Sequence, residues 1–212
     1  MTQQSIDATR TRLLDAALAV FSEKGFDKAS VRDICQRAHA NIAAINYHFG
    51  DKAQLYREVF EQLASRLQSF AQALSHDEPR QALNTYYRQL LSPLAEGERS
   101  MQVARLRARE EFEPTGLLPD MCATHLKPVH DRLVQFVCQQ VGAAQADAHI
   151  DRLAFSLVGM GTFYLHARPV VEALKPQLLA GDNWLDDLAN QLTDQGLTLL
   201  QAHKAQRAGE VQ

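Results

Sequence analysis

Residues 30–52 read Ser-Val-Arg-Asp-Ile-Cys-Gln-Arg-Ala-His-Ala-Asn-Ile-Ala-Ala-Ile-Asn-Tyr-His-Phe-Gly-Asp-Lys. This stretch narrows the possible folds more than any other. Ser30 is placed to cap a short helix, with Asp33 completing a capping box, and Val31, Ile34, Cys35 and Ala38 form its buried stripe. His39 and Ala40 make a turn. Asn41 is suited to cap the next helix, in which Ile45 and Phe49 lie on the inward face. Gly50 ends that helix, and Asp51 with Gln54 opens another capping box. Two short helices around a tight turn form a helix-turn-helix, a unit that most often lays its second helix in the major groove of DNA.

The flanks are helical as well. Leu13, Leu14, Ala17, Leu18 and Phe21 recur at helical spacing over about 7–24, and Gly25 supplies the left-handed residue that ends this first helix. The fourth helix continues through Leu55, Val59, Leu63, Leu67 and Leu74 until Pro79 signals a new start, long enough to join two domains. Beyond it come apolar stripes near 79–95, 100–112, 119–141, 147–168 and 183–205, separated by Gly, Pro or polar breaks, with no strand alternation. Pro128 is expected to kink the third of these in mid-helix, and residues 206–212 to fray. The fold class is therefore all-α with about nine helices, divided into 1–52 and 53–212.

Composition removes several alternatives. At 212 residues and 46% apolar content the chain can bury a core. Charges near the start (Asp7, Arg10, Arg12, Asp15) argue against an export signal, and the uncharged stretch 153–167 is shorter than a membrane span. Three cysteines without a CxxC pair argue against a disulfide framework or zinc finger. His125 and His130 stand five apart, off the spacing of a helical metal pair, so neither metal nor cofactor is expected. No Gly-rich phosphate loop or nucleophile elbow is present, and Gly159-x-Gly161 lacks a third glycine and follows no strand, so an enzyme is not expected. The formal net charge is -3. Residues 1–52 hold seven Lys/Arg against six Asp/Glu, leaving fifteen against nineteen for the rest. Any DNA binding must then rest on a few placed contacts rather than a broad basic surface.

Together with the first helix, the segment resembles the TetR family of bacterial transcriptional regulators. The family's pattern is a helix ending near Phe-x-x-x-Gly, a Thr or Ser starting the second helix, a recognition helix ending Tyr-x-Phe, and a Lys opening the fourth helix. Here those positions are Phe21 with Gly25, Ser30, Tyr47-His48-Phe49 and Lys52. The resemblance implies that Ser30 belongs to the DNA-binding set and that Arg32, Ile42, Ala43 and Asn46 face base edges. Chemistry makes their roles unequal. Asn46 can pair bidentately with adenine and Arg32 with guanine, whereas Ile42 and Ala43 offer only apolar contact to a thymine methyl. Tyr47, His48 and Lys52 carry donors suited to phosphates, which set register. The chain departs from the commoner pattern at Ala43-Ala44, where many members have Gly-Thr and hence one more phosphate donor, and at Asn46, where an aromatic is frequent. Residues 109–116, Arg-Glu-Glu-Phe-Glu-Pro-Thr-Gly, and the wording Asn41-Ile42-Ala43-Ala44-Ile45 resemble the YbiH/CecR-like subgroup.

The resemblance also implies the role of residues 53–212: a helical bundle with an effector pocket, whose last two long helices pair with their copies in a homodimer. Leu153, Phe155, Leu157, Val158, Met160, Phe163 and Leu165 make one of those helices apolar on most sides, as burial in core and interface together requires. Gly159 and Gly161 would permit close helix approach. Trp184, Leu185, Leu188, Leu192, Leu197 and Leu200 offer a matching face. For the pocket, Tyr86, Met101, Arg105, Phe112, His130, Phe155 and His166 mix apolar walls with polar groups, as small-molecule sites do. The expectation is a cytoplasmic, ligand-responsive repressor that binds a near-palindromic double-stranded operator as a dimer and is released by a small molecule, without a membrane partner.

Overall fold

The computed structural model describes the backbone of residues 3–117 and 122–210. In chain order its helices are α1 (Gln3–Lys28), α2 (Val31–Arg37), α3 (Ile42–Phe49), α4 (Lys52–Ala73), α5 (Pro79–Leu91), α6 (Glu98–Phe112), α7 (Lys127–Val141), α8 (Ala148–His166), α9 (Arg168–Leu174) and α10 (Trp184–Glu210). Short 3-10 turns at Ser92–Leu94 and Pro176–Leu179 and a π turn at Cys122–Leu126 complete them. The all-α expectation holds, and every predicted helix has its counterpart. The one α-helix among the described residues beyond the nine expected is the seven-residue α9.

The chain forms two compact units. The first comprises residues 1–65 and 97–120, the second 66–96 and 121–212. Compactness therefore does not divide at residue 52: the first unit takes in the start of α4 and recovers α6, which packs along α1. Its core is Leu13, Leu14, Ala17, Phe21, Ile34, Ile45, Phe49, Leu55 and Tyr56, all buried, the larger aliphatic and Phe side chains each worth about 1.5–3 kcal/mol of transfer free energy. The face predicted for α1 is the one buried. Gly25 interrupts α1 with φ 77° and ψ 171°, so its φ is positive as expected but its ψ is extended rather than helical.

In the second unit α5 and α10 pack antiparallel along a polar seam. Arg80 pairs with Asp194, Asn84 with Asn190 and Arg88 with Asp186, so that each step of one turn up α5 is one turn down α10. Beneath the seam, Tyr87 donates to the Leu157 carbonyl of α8 at 3.0 Å. Gly161 of α8 lies against α5, where an added Cβ would stand 2.5 Å from Leu90 Cδ2.

Three expectations change. Pro128 does not kink a helix in mid-course: it lies in the first turn of α7, just after the π turn, where its missing N–H removes no helical bond. Residues 206–210 are helical rather than frayed, as α10 continues to Glu210, while 211 and 212 lie outside the described residues. Leu188, Leu192 and Leu200 of α10 are buried within the protomer, so they do not form a face open to a partner. Leu55 and Val59 of α4, and Leu74 just after it, are buried; the side chain of Leu63 lies outside the described residues, as does Pro119.

Candidate nucleic-acid interface

The local signals in residues 30–52 are realised bond by bond. Ser30 Oγ accepts from the Asp33 amide at 3.0 Å and starts α2. Lys24 pairs with the Asp33 carboxylate at 2.9 Å. Its ammonium, and then the hydrogen bonds from Ser30, hold that carboxyl below the usual range. Asn41 Oδ1 accepts from the Ala44 amide at 2.9 Å and starts α3. Asp51 Oδ1 accepts from the Gln54 amide at 2.7 Å and starts α4. Between α2 and α3 the chain turns at His39, whose φ of 50° is in the left-handed region.

These caps fix which face of α3 is free. Ile45 and Phe49 are buried, while Ile42, Ala43, Asn46 and Tyr47 are exposed on the opposite side, Tyr47 by 73%. Four of the predicted DNA positions thus share one surface, with His48 half-buried beside them and its ring 5.0 Å from that of Tyr47. Arg32 is exposed on α2. Ser30 is exposed at the start of α2.

Lys52 is placed differently from the others. It is half-buried, its Nζ donates to the carbonyls of Phe26 at 2.8 Å and Ala29 at 3.1 Å, and it lies 4.3 Å from the centroid of the Phe26 ring. Two of its three protons hold the α1–α2 connection. The phosphate chemistry read from its charge is therefore joined to a structural role that only tertiary packing discloses. Other cations of the unit are committed as well: Arg10 to Glu58, Lys24 to Asp33 and Arg37 to Glu23. Lys28 and Arg32 remain exposed outside these pairs, consistent with binding through few phosphate contacts.

The predicted pocket residues are divided between the two units. Met101, Arg105 and Phe112 belong to the first unit; Tyr86, His130, Phe155 and His166 belong to the second. Phe112 is 78% exposed and Arg105 is exposed and paired with Glu98, so neither is an enclosed wall of its unit. Tyr86 and Met101 are buried core, and His166 is exposed. His130 and Phe155 are brought together, their rings stacked with centroids 4.5 Å apart. A small cleft of about 80 Å³ in the second unit lies elsewhere, beside Ile150, His149, His203 and Arg207. Sequence periodicity carries no signal for it, because its walls join the end of α7 and the start of α8 to the end of α10, far along the chain. Among the described residues no three His, Cys, Asp or Glu side chains are grouped to hold a metal ion, and Cys35 and Cys138 are free thiols.

Two family models match the chain: the TetR family of bacterial regulatory proteins over residues 13–59, and the C-terminal domain of the HTH-type transcriptional dual regulator CecR over residues 79–203. The chain belongs to the TetR family, with a CecR-type C-terminal domain. It is 24% identical over 166 residues to the dual regulator CecR of Shigella flexneri, covering 72% of this chain and 74% of that one. Identity to the transcriptional regulator UidR of Escherichia coli K12 is 29% over 154 residues, covering 70% and 72%. The solved structure of PfmR, a TetR-family regulator from Thermus thermophilus, shares the fold with a TM-score of 0.65 at 18% identity, over 88% of this chain and 97% of that one. This TetR-family chain is accordingly a DNA-binding transcriptional regulator. No described helix is long and apolar enough to cross a membrane.

Proposed function

We propose that the protein is a homodimeric, ligand-responsive repressor, acting in the cytoplasm on a near-palindromic operator through residues 1–52, with residues 53–212 serving effector binding and dimerisation. The observation that carries the reading is the α3 surface: Ile42, Ala43, Asn46 and Tyr47 exposed together on a helix whose other face is locked by Ile45 and Phe49. Asn46 and Arg32 supply base discrimination, and Tyr47, His48, Ser30 and the remaining proton of Lys52 supply register.

Dimerisation finds its support on α8. Phe155 and Phe163, 63% and 56% exposed, lie about two turns apart along a strip that includes Gly159, whose Cβ position is open. An uncovered aromatic strip around a glycine suits close approach of a second helix. Of the two glycines, Gly161 serves α5 within the protomer, leaving Gly159 for the partner. Two copies place recognition helices in successive major grooves about 34 Å apart, and a dimer seated across an operator occludes that DNA. A small molecule that binds the non-reading geometry more tightly releases it.

Selection of bound fragments from random duplex DNA tests this reading. The expected product is one shared site with two-fold symmetry, and a reporter under that site should be silenced by the chain. Recovery of no symmetric site, or activation of the reporter, would count against the repressor assignment.

A further inference from the structure

Glu110 is a buried charge that neither recognition nor core packing explains. Its side chain belongs to a residue only 3% exposed. Three donors nevertheless converge on it: the Tyr56 hydroxyl on Oε2 at 2.5 Å, and the Thr115 amide and hydroxyl on Oε1 at 2.8 and 2.7 Å. An apolar side chain could fill the space without desolvating a carboxylate, so what this position supplies is direction rather than burial.

From Tyr56 the contacts run unbroken to the start of α2. The Tyr56 ring meets Phe21 and Phe26 edge-on at 4.9 and 5.0 Å. Phe26 carries the Lys52 ammonium, which holds the Phe26 and Ala29 carbonyls, and Ala29 precedes the Ser30 cap. Arg109 reaches the chain just before the same connection. It is anchored by Glu113 at 2.8 Å, reaches the Glu23 carbonyl at 3.4 Å, and lies against Gly25, where an added Cβ would stand 3.2 Å from Arg109 Cδ. Tyr56 lies one turn into α4, and α3 is joined to α4 only through Gly50 and Asp51.

We infer that Arg109 and Glu110 are positioning residues for DNA reading, which fix the directions in which α2 and α3 leave α1 and α4 through Gly25 and Tyr56. The inference rests on the reading of α3 as the recognition helix. It also accounts for residues 109–116, which clamp the reading unit from α6.

The test uses the full chain and the duplex it selects from random DNA. Tyr56→Phe removes the hydroxyl and keeps the ring, and Glu110→Gln keeps the shape and removes the charge. Each should raise Kd for the selected duplex about tenfold, with Kd for scrambled duplex within about twofold and the salt slope unchanged, since no phosphate-binding group is lost. The double variant should lose less than the product of the two single losses, because both act on the Tyr56–Glu110 contact. A role in stability alone would lower Tm and leave Kd of the folded variants unchanged, which overturns the inference, as does an equal loss on selected and scrambled duplex. If Glu110→Gln does not fold, Tyr56→Phe decides the matter by the same criteria. Failure of the unaltered chain to select any duplex overturns the reading of α3 and this inference with it, and is distinguished by arising before any substitution is made.

Discussion

His39 shows at the residue scale how the turn geometry outweighs residue preference. Its φ of 50° is a conformation that glycine adopts freely and that costs other L residues roughly 1–2 kcal/mol, most for β-branched ones. His39→Val should therefore lower the unfolding free energy by about 1–2 kcal/mol in urea titrations, while His39→Gly should be neutral or stabilising. Lys52 and Asn46 separate structure from reading. Lys52→Ala leaves the Phe26 and Ala29 carbonyls without their charged donor and should cost about 1–3 kcal/mol of stability, besides weakening all duplexes alike. Asn46→Ala, exposed on α3, should leave stability within about 0.5 kcal/mol. It should also relax base preference at one position per half-site by about 1–3 kcal/mol, read from binding to a set of single-base operator variants. Loss of preference at no position would remove Asn46 from the reading surface. The caps Ser30, Asn41 and Asp51 were legible in the sequence because each acts on an amide three residues away. The carbonyl-holding role of Lys52 was not, because its partners lie 23 and 26 residues back along the chain.

The same contrast governs the elements. Helix existence follows from periodicity and caps, and α5, α6, α8 and α10 form where their apolar stripes predicted them. Partner choice does not follow, since α6 returns to α1 across many residues of intervening chain. That is why the sequence pattern alone does not place Met101 and Arg105 in the same unit as α1–α3. A cap also sets the pH response of α8. Asp147 accepts from the His149 and Ile150 amides at 3.0 Å and pairs with Arg207 of α10 at 2.6 Å. Arg207 first, and those amides with it, pull the Asp147 carboxyl from its ordinary 3.8 down to about 2. A group whose pKa is depressed by folding adds stability above its unfolded value and loses it as pH falls through the folded value. Stability should therefore decline between about pH 4 and about pH 2 through this group. Asp147→Asn, which can still cap α8, should be less stable than the parent at about pH 6 and show a shallower decline in that window, measured as urea midpoints. Parallel curves for the two proteins would remove Asp147 from the response.

For the whole molecule, the arithmetic of charge supports the proposed dimer. With a net charge of -3 and Arg10, Lys24 and Arg37 of α1 and α2 held in ion pairs, a single reading unit has few cations left to neutralise phosphates. Joining two such units replaces a second weak encounter by an intramolecular one, raising affinity without any new kind of contact. The surface for that joining must be apolar, exposed in one protomer and able to approach its copy closely, and the Phe155–Gly159–Phe163 strip, exposed although His130 stacks on one side of Phe155, suits that role. Gly159→Leu places a bulky side chain where nothing in the protomer opposes it and favours helix in the process. Phe163→Asp puts a charge on an exposed position of the same strip. Both variants should keep the parent's helical circular dichroism yet sediment as monomers at concentrations where the parent is a dimer. Their affinity for the full operator should fall at least about a hundredfold, whereas affinity for an isolated half-site should change by less than about threefold. Equal losses on half-site and full operator would mean that the substitutions damage the reading unit itself. Retention of the dimer by both variants would move the interface off α8.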